Sequence, residues 1–493
     1  MPVYVDAAVG AVDRLVSGRG PTMTTLFNRR RFLAGAAASA TGLALAGPFE
    51  GVVAHAARGG RSNGYGPIGP VPDLRDGVVR LDLPAGFQYR SFHTTGTVLG
   101  DGVTLPGRHD GMAAFGHRNG ATVLVRNHEV NGPVGAIGGT SPVYDPMTGG
   151  GTVTVVVDGR GNVVDDFVSL RGTQMNCAGG ETPWGSWLTC EETVNGDDVG
   201  PDFTGAPNTG LQKHGYVFEV PAGGLSAATP IRSAGRFAHE AAAVSPDTKA
   251  VYLTEDNFGF PSGFYRYLPP VSGRKAGHLV DGGELQMLKV VGVDNADLSV
   301  GQPAGASYDV EWVTIPDPDP TFAPGTTNDQ AIVAVGDQGR AAGAAIFSRL
   351  EGCYAAQGRI YFVSTQGGAL VDTDPAGFGA GRGQVWAYEY DTSRLHLIYE
   401  SPGETVLDLP DNVVVSRKGS LVLCEDGSAD NFLRGLTKQG QLFDFARNAD
   451  PAQAGQEFAG ATFSPDGGTM YVNIQSSSGY SLAIWGPWHK GPF

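Results

Sequence analysis

Asn176-Cys177-Ala178-Gly179-Gly180-Glu181-Thr182-Pro183-Trp184-Gly185-Ser186-Trp187-Leu188-Thr189-Cys190-Glu191-Glu192 carries a thiol, a glycine-rich turn and a short apolar run that ends in paired carboxylates. Folded as a hairpin, the two arms bring their ends side by side, so Cys177 and Glu192 can face one point. A thiolate and carboxylates on rigid strand ends make a plausible metal cage. A buried cysteine near a solvated acid pair would read the same way in isolation. The remainder of the chain tips the choice, because it repeats the arrangement.

Five further stretches follow the same plan of strand, polar turn, strand and polar exit. The first copy opens at His109-Asp110, turns at Arg118-Asn119-Gly120 and leaves at Asn127-His128-Glu129. The quoted stretch is the second. The third opens at His239-Glu240, turns at Ser245-Pro246-Asp247 and leaves at Glu255-Asp256-Asn257. The fourth runs from Arg349-Leu350-Glu351 through Gln357-Gly358 to Thr365-Gln366. The fifth runs from Asp411-Asn412 through Arg417-Lys418-Gly419 to Glu425-Asp426, and the sixth from Glu457-Phe458 through Ser464-Pro465-Asp466-Gly467 to Asn473-Ile474-Gln475. The turns lie roughly 50 to 70 residues apart, with one gap of about 110, which is blade-like spacing for an all-β propeller. The long interval 261–345 is expected to add a loop or helical insertion over the channel mouth. Each hairpin returns to the face it left, so the opening and closing residues of every blade gather at one mouth. A ring of Asp110, Glu129, Glu192, Glu240, Glu255, Asp256, Glu351, Asp411 and Glu425 there would repel itself strongly unless it held cations. Ordinary propeller turns with solvated acids beside them are the plainer alternative.

The whole composition agrees with this plan. Seventy-five glycines and 32 prolines among 493 residues favour short strands and tight turns. A formal charge of −16 excludes nucleic acid as a specific partner, whose phosphates need Lys and Arg. Residues 1–57 read as an export leader: Asn28-Arg29-Arg30-Arg31-Phe32-Leu33 fits the twin-arginine pattern. A small-residue run from Ala34 to Ala46 follows, too short to span a membrane. Ala54-His55-Ala56 offers a cleavage site. The expectation is a chain handled by the twin-arginine export machinery and delivered to the periplasm, cell surface or medium, without a membrane span after cleavage. Residues 58–493 are expected to form one propeller domain, as a monomer.

Calcium takes six to eight oxygens, which the carboxylate ring with Asn127, Asn257 and Asn412 can supply. Cys177 has no use to a hard cation and points to a transition metal beside the calcium. Cys190 and Cys424 precede acids on alternating strands and are read, with Cys353, as core. Arg349, two residues before Glu351, suits a phosphoryl or carboxylate oxygen. There is no Walker loop, no Gly-x-Ser-x-Gly elbow and no dinucleotide fingerprint.

These residues resemble the PhoX family of alkaline phosphatases. The likeness rests on the leader, Asn127-His128-Glu129, Asn176 to Glu192, Arg236-Phe237-Ala238-His239-Glu240, Thr254-Glu255-Asp256-Asn257, Arg349, Glu351-Gly352 and Pro410-Asp411-Asn412. It implies a six-bladed propeller with ferric iron (Fe3+) and calcium (Ca2+) at its mouth. Cys177 then resembles an iron ligand, and Glu192, Glu240, Glu255, Asp256, Glu351 and Asp411 resemble the carboxylates of the cluster. Arg349 and Asn127 look like phosphate binders. The family's usual Arg-Pro-Glu stands here as Arg349-Leu350-Glu351. The implied activity is hydrolysis of small phosphomonoesters without a side-chain nucleophile. A calcium-dependent propeller lactonase or ester hydrolase and a non-catalytic calcium-stabilised binding module are the alternatives, and neither calls for a thiolate.

Overall fold

Inner strands built from small residues, such as His239–Val244 and Phe458–Phe463, can crowd around an axis in a way that bulky strands cannot. Gly111 shows why: a Cβ there would lie 2.5 Å from the Ala178 Cα of the next blade. The computed structural model describes residues 62–117, 120–270, 279–372 and 375–493. The leader over 1–57 and the turn at Arg118-Asn119 lie outside the described residues. No helix among those described is long and apolar enough to cross a membrane.

The described strands form six blades. The first holds His109–Gly116, Thr122–His128, Gly150–Val157 and Val163–Thr173. The second holds Asn176–Glu181, Ser186–Glu191 and Val217–Pro221, and the third His239–Val244, Val251–Glu255, Phe264–Leu268 and Glu284–Val290. Leu350–Ala356, Arg359–Ser364, Gln384–Glu389 and Arg394–Glu400 make the fourth. The fifth is Pro410–Val415, Leu421–Glu425, Phe432–Leu436 and Leu442–Asn448, widened by Val79–Pro84 and Ile68–Pro72. The sixth is Phe458–Phe463, Thr469–Ile474 and Tyr480–Trp485, completed by Gln88–Phe92 from the start of the domain. That borrowed strand closes the ring, and the six innermost strands neighbour one another in chain order all the way round.

Alternation along each strand sends side chains to two different neighbours. Val413 and Val415 pack toward the fourth blade, and Val414 toward the sixth. The result is an apolar seam between every adjacent pair of blades. Cys190, Cys353 and Cys424 lie in three of these seams as buried free thiols.

The interval 261–345 is less foreign than its length implies. Phe264–Leu268 and Glu284–Val290 are the outer strands of the third blade, so the insertion proper begins after Val290. Its strand Ser307–Thr314 pairs with Glu284–Val290 and with Arg394–Glu400, joining the third and fourth blades into one sheet. Two short helices follow, Asn328–Ile332 and Ala334–Ala341, the first started by a capping box between Thr327 and Gln330. They pack at the rim, with Ala331 and Ile332 against Val194 and Val199. No residue of the insertion lines the mouth cavity.

Candidate metal centre

One irregularity, repeated in every blade, builds the site. Between the first and second strands the register skips a residue at His109/Met112, Asn176/Gly179, His239/Ala242, Leu350/Cys353, Pro410/Val413 and Ala459/Thr462. A bulge of this kind re-aims the side chain that it carries. The first bulged residues are Asp110, Cys177, Glu240, Glu351, Asp411 and Gly460: five side chains of types able to ligate a metal, and one glycine at φ +64°. The second bulged residues are Gly111, Ala178, Ala241, Gly352, Asn412 and Ala461, nearly all small, and they line the channel below.

A second repeated device fixes the exits. The residue just past each second strand donates its N–H to the carbonyl of the residue just before the inner strand. The pairs are Glu129 to Arg108 (2.9 Å), Glu192 to Met175 (2.9 Å), Asp256 to Ala238 (3.2 Å), Thr365 to Arg349 (2.9 Å), Asp426 to Leu409 (3.0 Å) and Gln475 to Glu457 (3.2 Å). The lining of one mouth is drawn from these pre-strand, bulge and exit positions. Arg108, Glu129, Cys177, Glu192, Asp256, Arg349, Glu351, Asp411, Asp426, Glu457 and Gln475 line a cavity of about 220 Å³ there.

Three donor groups have ligand atoms within 4.8 Å of one another: Glu129 with Cys177 and Glu192, Glu240 with Glu351 and Asp411, and Asp411 with Asp426 and Glu457. Both Glu240 carboxylate oxygens and Asp110 Oδ1 are buried without a hydrogen-bond partner. Leaving a buried charge unpaired is costly, and a cation is the partner this donor set fits. Electrostatics agree. Burial, then the neighbouring carboxylates, push Glu192, Glu240, Glu351 and Glu457 well above the usual carboxylate range. Glu129 and Asp411 rise to about 7 and Asp426 to about 6, again chiefly through burial. Burial and the charges of Asp110, Glu240, Glu192 and Glu129 likewise raise the Cys177 thiol. Cations that displace these protons would reverse the whole pattern.

Arg349 is turned into the mouth by a left-handed backbone (φ +43°), not by strand alternation as its spacing from Glu351 implies. Its Nε bonds both Asp256 oxygens at 3.1 Å, and its Nη2 bonds Asp256 at 2.7 Å and Glu351 at 2.9 Å. The Phe258 ring covers its face, centroid 5.4 Å away. Nη1 makes no hydrogen bond among the described residues.

Two expected site residues are placed elsewhere. Glu255 accepts from Gly263 N (2.8 Å) and Tyr265 Oη (2.9 Å), so its charge is spent bracing the third blade. Asn127 donates to the Cys177 and Ala178 carbonyls at 2.9 and 2.7 Å and accepts from Trp187 Nε1 at 2.8 Å. Its amide is fully used in holding the Cys177 bulge, and it does not line the cavity. Glu425 of the expected ring also turns away, to Arg434 Nε at 2.8 Å. Arg236 is a buried brace for Asp198. Asp426 and Glu457, absent from the expected ring, do face the mouth. Aligning the six repeats on their bulges would have found both.

The sequence profile of the family described as alkaline phosphatase PhoX matches residues 63–164 and 147–478. The chain belongs to that family. Membership makes it a phosphoric monoester hydrolase. Among solved structures, PhoX of Pseudomonas fluorescens in complex with vanadate, a transition state analogue, aligns at TM-score 0.59 and 17% identity, over 83% of this chain and 96% of that one. At that identity the likeness shows the fold. Virginiamycin B lyase of Staphylococcus aureus (TM-score 0.36, 11% identity, 81% of this chain and 99% of that one) is too distant to bear on function. So is the gluconolactonase XC5397 of Xanthomonas campestris (TM-score 0.36, 13% identity, 85% and 99%). No curated protein matches the chain significantly.

Proposed function

We propose that this PhoX family member is an exported phosphatase that hydrolyses small phosphomonoesters at iron and calcium held in the mouth. The observation that carries the reading is the meeting, in one small cavity, of a thiol, seven carboxylates and an arginine held by two of them. Cys177, Glu129 and Glu192 would hold iron, since a thiolate suits a softer metal. The all-oxygen groups of Glu240, Glu351, Asp411, Asp426 and Glu457 suit calcium. Bound cations would supply Lewis acidity toward the phosphoryl oxygens and an activated water.

The chain's own residues do the rest. Asp256 and Glu351 fix the Arg349 guanidinium at the cavity before substrate arrives, which is the kind of preorganisation that lowers a barrier. Phe258 shields one face of that guanidinium from water. Gln475 donates to Asp110 Oδ2 at 2.5 Å and steadies the one carboxylate whose other oxygen is left free. The twin-arginine pattern at Arg29-Arg30-Arg31 supports export of a folded, metal-loaded chain.

The test is elemental analysis of protein purified without added metal, paired with a phosphomonoester assay. Iron and calcium should co-purify, and activity should vanish with a chelator and return with calcium. Full turnover by a demonstrably metal-free sample would reject the reading.

A further inference from the structure

A second arginine, Arg108, lines the same cavity. It stands directly before the inner strand of the first blade, as Arg349 stands before that of the fourth. Both have left-handed backbones, at φ +56° and +43°, as Met175 and Leu409 do at the same pre-strand position. Among these four only the two arginines line the cavity. Both offer their carbonyl to the exit residue of their own blade at 2.9 Å. In a ring of six, the first and fourth blades are opposite, so the two guanidinium groups reach the cavity from opposite sides.

Their tethering differs completely. Arg349 is gripped by Asp256 and Glu351, and its side chain is 15% exposed. The Arg108 backbone is pinned through its N–H to the Ser476 carbonyl at 2.7 Å. Its side chain is 55% exposed, and its ion-pair partner is Glu129 at the long distance of 4.0 Å. A non-glycine residue holds left-handed geometry only where its surroundings enforce it. Here they fix the base of the arm and leave its end held only by the long ion pair to Glu129. Arg349 alone has one nitrogen to offer a phosphoryl group, whereas Arg108 has a whole planar fork.

We propose that Arg108 is the second phosphate-binding arm of the mouth: it closes on the phosphoryl oxygens that face away from Arg349 and takes the place expected for Asn127. The inference rests on the phosphatase reading for its ligand and on the opposed pair of arginines for its geometry. The arm binds and orients the anion and transfers no proton.

The test is calorimetric binding of inorganic phosphate to the metal-loaded enzyme, with Arg108→Ala and Arg108→Lys alongside steady-state kinetics and elemental analysis. Arg108→Ala should weaken phosphate binding by at least about tenfold and raise KM comparably, with kcat within about threefold. Metal content and Tm should stay nearly unchanged, because the side chain's ion pair is the long, half-exposed one to Glu129. Arg108→Lys should recover part of the affinity, having the charge without the fork. Phosphate affinity within about twofold of wild type would make Arg108 a solvated rim residue and overturn the proposal. Loss of metal in Arg108→Ala would overturn it too, by showing that the residue acts through Glu129. A wild-type enzyme that binds phosphate through Arg108 yet hydrolyses no monoester would support the arm and reject the phosphatase reading instead.

Discussion

Glu191 and Glu192 are chain neighbours in opposite chemical situations. Glu191 accepts from His214 Nδ1 at 2.6 Å and from the backbone of Gln174, Gly215 and Tyr216 at 2.9 to 3.1 Å. Glu192 instead faces the cavity among like charges. The same split recurs at Glu255 and Asp256, and at Glu425 and Asp426. In each pair the first acid knits its own blade together and the second is handed to the mouth. Two shells of carboxylate therefore exist: one held by hydrogen bonds within its own blade, and one that faces the mouth, where Arg349 holds Asp256 and Glu351 and the others crowd among like charges. Substitutions in the two shells should fail in different ways.

The largest effect is expected at Cys177, the sole sulfur of the inner shell. Serine matches it in size but remains a neutral hydroxyl, a poor donor to a soft-leaning metal. Cys177→Ser should fold, lose iron and its colour, and lose phosphatase activity with them. Cys190→Ser, in an apolar seam, should cost modest stability and keep turnover per folded molecule. A Cys177→Ser enzyme with full iron and full turnover would remove the thiol from the inner shell.

Next comes Arg349→Lys, which keeps the charge and loses the fork that Asp256 and Glu351 grip. Turnover on phosphomonoesters should fall by about 10²–10³-fold, the usual loss for one preorganised donor to developing charge. Elemental analysis should find the metals retained. Near-normal kinetics would mean that Arg349 only neutralises its two carboxylates.

The split also explains how much could be read from the sequence. The six-fold repeat was legible because turns and polar exits recur at blade spacing, and Cys177 with Glu192 was legible because a hairpin must juxtapose its ends. In the sequence Glu255 and Asp256 look equivalent, as do Glu425 and Asp426, because each pair is two adjacent acids at a blade exit. What separates them is where strand pairing stops: His239 pairs with Glu255 and Pro410 with Glu425, and only the following residue is released to the mouth. Asn127 shows a related limit, because nothing in its own stretch shows that its amide is bonded to the Cys177 bulge. Arg108 and Arg349 depend on positive φ at non-glycine residues, which composition cannot announce.

Stability provides a sharper comparison of the shells. Glu425 and Arg434 form a buried pair, with side chains 1% and 4% exposed. Glu425→Gln breaks the pair and leaves the Arg434 guanidinium to Asp444 alone, at a cost of about 1–3 kcal/mol. Glu240→Gln removes a carboxylate with no partner, so in metal-free protein it should leave the melting temperature unchanged or raise it. Denaturant unfolding of both variants after exhaustive chelation checks the contrast. Equal destabilisation would erase the distinction between the two shells.

The mildest expected effect is the pH dependence of the metal-free protein, and its sign follows from burial. Glu129 and Asp411 of the mouth and the bracing acids Glu255 and Glu425 sit at about 7, and Asp426 at about 6, in the folded chain, all raised chiefly by burial. A group whose folded pKa is raised binds its proton more tightly when folded. Its stabilising contribution is complete below the unfolded value and is lost as pH rises through the folded one. Metal-free protein should therefore melt at a progressively lower temperature from about pH 5 to about pH 8, as these groups are forced to ionise against one another. Calcium should flatten the trend at the upper end, because a bound cation takes the place of the protons. Melting curves of metal-stripped protein across that range, repeated with calcium, separate the cases. A stripped protein whose melting temperature rises with pH would show that the chain itself already stabilises these buried carboxylates as charges, and calcium would then have no protons to replace at the mouth.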